Sequence, residues 1–263
     1  SRGLGDVYKR QVVNAAQGIA MQINAAVYSF VSNFMIAIRP QIIKNHASGN
    51  FQAMHIQIIK SGKFGFFIML LILLPLCGNI DYVLGLWLVD VPAHTANFVV
   101  LVLLYSLLDG ILTPIAIGVF AQGEIKAYEI ALCIIYAVNF IASYVCLKLG
   151  MAPETVFVLN IAFKACVLAD LLVHSKAKYA FPVHAFLKQC LLPSAVVFVL
   201  SGAFTYFMPW EAPNSFWEFL LHTLAIIICT SLMALAIGMT KGERLFLKKN
   251  LRDKITVKLY RKI

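Results

Sequence analysis

The amino-acid sequence predicts an all-α, polytopic integral membrane protein with about seven transmembrane helices. Three observations support this fold class. First, 61% of the 263 residues are hydrophobic and 13% are charged, whereas charged residues make up about 25% of a typical soluble domain. Second, seven apolar stretches approach the ~20 residues that a helix needs to cross a bilayer. Third, Lys and Arg concentrate on alternate connections between those stretches, which is the pattern that cytoplasmic retention of basic loops produces.

The predicted spans follow one another with short connections. Their approximate ranges are 12–38, 64–80, 97–121, 127–148, 153–174, 189–208 and 217–239. We group the first five spans, residues 12–174, as one helical bundle, and residues 175–239 as a final pair of helices. Residues 240–263 form a basic tail. The opening run, residues 1–11, fits neither a signal peptide nor a span, and we interpret it as a non-native end on a truncated piece of a longer protein.

The distribution of basic residues predicts the orientation of the chain. The Lys and Arg residues on the connections after the first span lie in residues 39–63, 122–126, 175–188 and the tail, whereas the other connections contain only Lys148. We therefore expect these four segments, including the C-terminus, to face the cytoplasm. The formal net charge of +10 is then explained by the anionic cytoplasmic leaflet, and we predict no nucleic-acid partner.

The first span differs from the others because one half of it is polar. On a helix of about 100° per residue, one half of residues 12–34 carries Asn14, Gln17, Gln22, Asn24, Tyr28, Ser29, Ser32 and Asn33. Unpaired amides in hydrocarbon cost several kcal/mol each. We therefore expect this half to line a hydrated cavity, with ordinary hydrogen bonds between helices as the alternative.

Further polar groups lie deep in the other spans. Ser106, Asp109 and Thr113 recur along one side of the third span, just before Pro114. Asn139 lies in the fourth span, and Asn160, Lys164, Asp170 and His174 share one third of the circumference of the fifth. Charges at such depth usually face a bundle interior or a pathway. The alternatives are snorkelling of Lys164 and an interfacial position for Asp170 and His174.

The sequence contains no motif for soluble-type catalysis. It has no glycine-rich phosphate loop, no helical metalloprotease pair of histidines and no serine elbow, and its six cysteines are scattered through apolar segments. We predict a transporter rather than an enzyme, with no catalytic residues, no metal site and no cofactor. Residues 51–63, FQAMHIQIIKSGK, are typical of a short amphipathic helix on the cytoplasmic face.

Three segments of the chain resemble a known family. Residues 13–50, the string around Trp87 and Pro92, and residues 105–129 resemble the C-terminal half of bacterial polysaccharide flippases of the O-antigen and capsule type. These belong to the MATE-related multidrug/oligosaccharidyl-lipid/polysaccharide exporter superfamily. The matching positions are Asn14, Ala15, Gly18, Ile19, Gln22, Asn24, Phe30, Asn33, Pro40, Gln41, Lys44, Leu86, Trp87, Pro92, Ser106, Asp109, Pro114, Gly123 and Tyr128. The similarity is strongest over residues 12–130.

The resemblance implies a fold of about fourteen helices, built from two bundles of six and a final pair. The present seven spans would be the last seven, with residues 12–174 in the second bundle. We therefore do not expect this piece to transport by itself, because half of the cavity wall would be missing.

The resemblance also implies a function in the bacterial inner membrane, namely flipping of an undecaprenyl-diphosphate-linked oligosaccharide for polysaccharide or lipopolysaccharide biosynthesis. The lipid-linked oligosaccharide, the lipid bilayer and polysaccharide-assembly proteins would be its partners. The predicted substrate cavity contains Asn14, Gln17, Asn24, Asn33, Asp109, Asn160 and Lys164. Two alternatives remain open: a MATE-type drug/cation antiporter that uses Asp109 for ion coupling, and a membrane-embedded glycosyltransferase or polymerase.

Overall fold

The computed structural model describes residues 2–208 and 213–245, with side chains from residue 11 onward. Regular structure in these ranges is helical throughout. The helices are α1 (Arg2–Ala47), α2 (Phe51–Gly78), α3 (Ile80–Trp87), α4 (Thr95–Phe120), α5 (Lys126–Lys148), α6 (Glu154–Tyr179), α7 (Val183–Phe207) and α8 (Phe216–Gly238). Seven of them are long and apolar enough to cross a membrane, which confirms an all-α multi-pass membrane protein. Most of the predicted tail, from residue 246 onward, lies outside the described ranges.

The second span begins earlier than the sequence predicts. Residues 51–63 are the first part of α2 and continue without interruption into the apolar stretch, so the prediction of a separate surface helix there was wrong. Asn50 caps α2 by accepting a hydrogen bond from the backbone N–H of Ala53 at 3.1 Å. Met54 and Ile58 are fully buried, because the apolar side of this segment packs inside the bundle instead of lying on lipid.

Helix α4 lies at the centre of the bundle. It packs against α1, α2 and α6, while α5 packs on the outer side of α6, and α7 and α8 pack on α2. The backbones of α2 and α4 approach closely, since a Cβ atom built on Gly110 would lie 2.8 Å from the carbonyl carbon of Gly65. Small residues allow such backbone contact between membrane helices. This crossing fixes the position of Asp109, the residue next to Gly110.

One end of the bundle carries the basic helix termini, with Lys44, Lys126, Lys176, Lys178 and Lys241, and we call it the basic end. Contacts between distant parts of the chain define it. A ring N–H of His55, near the start of α2, is positioned to donate to the backbone carbonyl of Tyr179 at 3.0 Å. Lys178 forms an ion pair with Glu124.

The chain that leaves α8 is also attached at the basic end. The ammonium group of Lys63, a fully buried residue of α2, donates to the carboxylate of Glu243 at 2.6 Å. The same carboxylate accepts the backbone N–H of Thr240 at 2.8 Å, and the Glu243 N–H points back to the Thr240 hydroxyl at 3.4 Å. This reciprocal arrangement is a capping box, here joined to a buried ion pair.

The opposite end of the bundle is joined by polar and aromatic contacts. His94, just before α4, lies 2.5 Å from a carboxylate oxygen of Glu154 at the start of α6. Tyr82 of α3 stacks on Phe219 of α8, with ring centroids 5.1 Å apart. The connections between successive spans therefore lie alternately at the basic end and at the opposite end of the bundle.

Candidate functional site

A cavity of about 360 Å³ lies between α1, α4, α5 and α6. Its volume is within the usual range for small-molecule sites, roughly 300–1,000 Å³. Apolar side chains make up part of its wall. Its polar lining residues are Asn24, Tyr105, Tyr136, Asn139, Asn160 and Lys164. All of them belong to helices long and apolar enough to cross a membrane.

Each of these four helices carries two polar residues about one turn apart, and one or both of them line the cavity. The pairs are Asn24 and Tyr28 on α1, Tyr105 and Asp109 on α4, Tyr136 and Asn139 on α5, and Asn160 and Lys164 on α6. Residues three or four positions apart share one face of a helix. The four polar faces therefore converge on one region of the bundle.

The charged centre of this region is the pair Lys164 and Asp109. The ammonium nitrogen of Lys164 lies 2.6 Å from a carboxylate oxygen of Asp109, with side-chain exposures of 7% and 23%. The same nitrogen lies 3.8 Å from the ring centre of Tyr105, a cation–π geometry. Lys164 is thus held inside the bundle and does not extend along the surface toward the interface.

The two members of the pair occupy different positions relative to the cavity. Lys164 lines it, whereas Asp109 does not. The Asp109 carboxylate lies 2.6 Å from the ammonium group but does not contribute to the cavity lining. The cavity wall therefore presents the cation more directly than the anion.

The amide groups on the wall are only partly satisfied. The side-chain amide of Asn139 donates to the side-chain oxygen of Asn160 at 2.6 Å and so joins α5 to α6. Among the described residues, the side-chain oxygens of Asn24 and Asn139 are buried without a hydrogen-bond partner. A buried acceptor without a partner in the protein is available to a donor from a ligand or from water. The hydroxyl groups of a sugar are suitable donors.

The predicted cavity residues fall into two groups. Asn24, Asn160 and Lys164 line the cavity and Asp109 lies beside it, but Asn14, Gln17 and Asn33 are exposed on the surface of α1 and do not reach the cavity. The side of α1 that packs into this bundle is the apolar one. Its buried residues are Ala16, Ala20, Val27, Val31, Met35 and Ile42.

Sequence reasoning left three residues out of the predicted cavity: Tyr105, Tyr136 and Asn139. Tyr105 lies one turn before Asp109, and Tyr136 lies one turn before Asn139, so helical periodicity was the available signal. Asp170 and His174 form a separate pair, with 3.1 Å between the ring nitrogen and a carboxylate oxygen, and they do not line this cavity. In the described ranges, no group of three or more His, Cys, Asp or Glu residues could hold a metal ion.

Comparisons with known proteins add no family assignment. No protein-family model, no curated protein and no solved structure matches the chain. The resemblance over residues 12–130 therefore stays a prediction, and the function has to be argued from the cavity.

Proposed function

We propose that this chain provides a substrate cavity of a bacterial inner-membrane flippase, which moves an undecaprenyl-diphosphate-linked oligosaccharide across the membrane for polysaccharide biosynthesis. The observation that carries the proposal is the position of Lys164, on the wall of a cavity between helices long enough to span the membrane. A charge at the bilayer centre costs about 2.5–3.5 kcal/mol on insertion scales, and such residues usually serve a pathway.

The polar groups of the cavity suit the two parts of this substrate. The buried oxygens of Asn24 and Asn139 accept hydrogen bonds from sugar hydroxyls, and the Lys164 ammonium attracts the diphosphate. Tyr105 and Tyr136 add aromatic surface against which a sugar ring packs. Alternating exposure of the cavity to the two leaflets would complete the transport cycle.

The nearest alternative function is a drug/cation antiporter of the same superfamily, and Asp109 is the residue that favours it. However, the Asp109 carboxylate is paired with Lys164 at 2.6 Å and does not line the cavity. A cationic drug would meet the ammonium group first. The arrangement therefore favours an anionic substrate.

The proposal includes an orientation, in which the basic end of the bundle faces the cytoplasm. This follows from the positive-inside rule and from the position of Lys126, Lys176 and Lys178 at one end. Lys176 is exposed, so a cysteine introduced there should resist an impermeant thiol reagent applied to intact cells. Labelling at that position would contradict the orientation.

The exposed amides of α1 would also contact the substrate. Asn14, Gln17 and Asn33 are exposed in this chain, and amides are not tolerated against lipid. In the two-bundle arrangement that the resemblance implies, this side of α1 faces the other bundle across the central space. The amides would then meet the sugar chain where it extends beyond the Lys164 cavity.

The test is complementation of a bacterial host whose own polysaccharide flippase has been deleted. The full-length protein that carries this chain should restore surface polysaccharide in a host with a matching glycan. Lys164→Ala should remove that restoration while the protein is still expressed in the membrane. Lys164→Arg should retain part of it, because the charge is kept although the geometry changes.

Asp170→Asn is the matched control, since Asp170 is also a charged residue of α6 but lies outside the cavity. It should restore polysaccharide as the unmutated protein does. Unchanged polysaccharide with Lys164→Ala would contradict a role for Lys164 in transport. Failure of the unmutated protein in hosts with different glycans would count against the flippase function itself.

A further inference from the structure

We infer that Asp109 is an exchangeable counter-ion for Lys164, so that an anionic ligand replaces it on the ammonium group while Asp109 takes up one proton. The inference rests on the proposed function, because it takes the ligand to be a diphosphate diester. It adds a role for Asp109 and a proton that accompanies substrate binding.

The first ground is the geometry of the pair. The Lys164 nitrogen lies 2.6 Å from a carboxylate oxygen of Asp109 and 3.8 Å from the centre of the Tyr105 ring. Lys164 also lines the cavity. A lysine ammonium has three N–H donors in all. A ligand that enters from the cavity therefore reaches the same nitrogen that Asp109 now neutralises.

The second ground is the charge balance of the site. The Lys164 and Asp109 pair is neutral as it stands, so a diphosphate diester would bring two negative charges close to an ionised carboxylate. Like charges in a low-dielectric interior strongly disfavour one another. The conflict is removed if the carboxylate becomes neutral, and then the full charge of Lys164 is available to the ligand.

The third ground is the set of groups that face Asp109. They are Lys164 of α6, Tyr28 of α1 and Tyr136 of α5, while Tyr105 of α4 itself contacts Lys164. Tyrosines are uncharged near neutral pH. They therefore cannot neutralise the Asp109 carboxylate when a ligand binds Lys164.

Helix α2, which also packs against α4, meets it at Gly65 and Gly110. Its buried lysine, Lys63, is already paired with Glu243. Within the described residues, Lys164 is thus the cation that Asp109 depends on. When a ligand takes Lys164, a proton from water is the remaining way to neutralise the carboxylate.

Binding and release of the ligand exchange the same number of protons with the solvent. Each ligand that binds brings one proton onto the Asp109 carboxylate, and its release returns the proton to the solvent. Affinity should therefore fall as pH rises through the range in which the liganded site holds its proton, by up to about tenfold per pH unit. The same exchange would link transport of the anion to movement of a proton.

The test is calorimetric titration of the purified full-length protein that carries this chain, in phosphatidylcholine nanodiscs. The probe is farnesyl-diphospho-N-acetylglucosamine, whose phosphates are both esterified and do not titrate near neutral pH. Measurements in two buffers of different ionisation enthalpy at one pH give the number of protons taken up. We expect about one proton per bound probe for the unmutated protein, since a single carboxylate changes its state.

The variants identify the group that takes the proton. Asp109→Asn should bind the probe with no proton uptake, because the amide is already neutral and cannot titrate. The control Asp170→Asn, which alters the other deep carboxylate, should keep the full uptake. Lys164→Ala should lose most of the affinity.

The outcomes separate this inference from the proposed function. Binding of the probe without proton uptake, or with an uptake that Asp109→Asn leaves unchanged, would overturn the exchange and leave the flippase proposal standing. No binding of the probe by the unmutated full-length protein would overturn both.

Discussion

At the scale of single residues, the defining feature is a buried ion pair at membrane depth. Lys164 is 7% exposed and lies 2.6 Å from Asp109. Burying two charges carries a desolvation penalty that their attraction does not always repay, so apolar residues of similar size are often at least as stable in such positions. A pair of this kind beside a cavity is therefore evidence for a role in binding more than for a role in stability.

This argument predicts strong coupling between the two substitutions that neutralise the pair. Asp109→Leu leaves the buried Lys164 ammonium without its anion, and Lys164→Met leaves the Asp109 carboxyl group without its cation. Each should lower the free energy of unfolding by about 3 kcal/mol. The double variant should lie within about 1 kcal/mol of the unmutated chain. Denaturant titration in detergent micelles measures all four proteins. Additive losses in the double variant would contradict the prediction.

Part of the site could be predicted from the sequence because deep polar residues are conspicuous among apolar ones. Asn24, Asn160 and Lys164 were identified on that basis, and the structure places all three on the cavity wall. The hydrogen bond between Asn139 and Asn160 could not be predicted, because it depends on how α5 is rotated against α6. Tyr105 lies one helical turn before Asp109, but that spacing alone does not indicate a cavity, since tyrosine is equally common at membrane interfaces.

At the scale of helices, the crossing of α2 and α4 holds the site in place. The backbones touch at Gly65 and Gly110, and a Cβ atom on Gly110 would lie 2.8 Å from the backbone of the facing helix. The contact is with main-chain atoms, which cannot rotate away as a side chain can. A larger residue must therefore separate the two helices and move Asp109.

We predict that Gly110→Ala lowers the free energy of unfolding by about 1–3 kcal/mol, the usual effect of overpacking. It should also weaken probe binding, because Asp109 is the adjacent residue. Gly202→Ala is the control, since a Cβ atom there would meet nothing within 4 Å. Unfolding and binding measurements on both variants test this. Equal effects of the two substitutions would show that the crossing is not critical.

The attachment of the segment after α8 has its own pH dependence. Burial raises the pKa of Glu243, but the hydrogen bond from Lys63 and the N–H of Thr240 outweigh it, so the net pKa is lowered from the ordinary value. A carboxyl group with a lowered pKa stabilises the fold above its unfolded pKa, and that contribution is lost as the pH falls through the folded pKa.

We therefore predict that Glu243→Gln is less stable than the unmutated chain at neutral pH, because Lys63 loses its buried partner. The difference should shrink as the pH falls from the ordinary pKa of a glutamate, about 4.3, through the lower folded pKa of Glu243, where the carboxyl group becomes neutral. Thermal unfolding of both proteins across this pH range gives the comparison. A difference that does not change with pH would contradict a role for the ionised carboxylate.

The existence of the helices could be predicted more reliably than their ends. Hydropathy locates each span, but the start of α2 at Phe51 depends on the cap from Asn50 and on burial of Met54 and Ile58. The amphipathic pattern of residues 51–63 is the same whether its apolar side meets lipid or a neighbouring helix. Tertiary contacts decide between those two arrangements.

At the scale of the whole molecule, two exposed helix surfaces differ in chemistry, since that of α1 combines amides with apolar side chains such as Phe30 and Ile36. On α5, exposed residues such as Phe140, Ile141 and Tyr144 are apolar or amphipathic, as expected for a helix against lipid. On α1, the exposed residues include Asn14, Gln17 and Asn33, which hydrocarbon would leave unsatisfied. This surface of α1 therefore requires water or another protein surface. The polarity of this surface of α1 could be predicted from the sequence. The packing places the surface on the outside of the present bundle.

The central claim is that a protein with this cavity carries a lipid-linked oligosaccharide across the membrane, and transport in sealed vesicles tests it most directly. The full-length protein is reconstituted with labelled oligosaccharide on a polyprenyl diphosphate carrier, and exposure of the glycan to an external glycosidase is followed over time. We predict progressive exposure with the unmutated protein and with Asp170→Asn, but only the protein-free rate with Lys164→Ala. A protein-free rate with the unmutated protein, or an unchanged rate with Lys164→Ala, would contradict the claim.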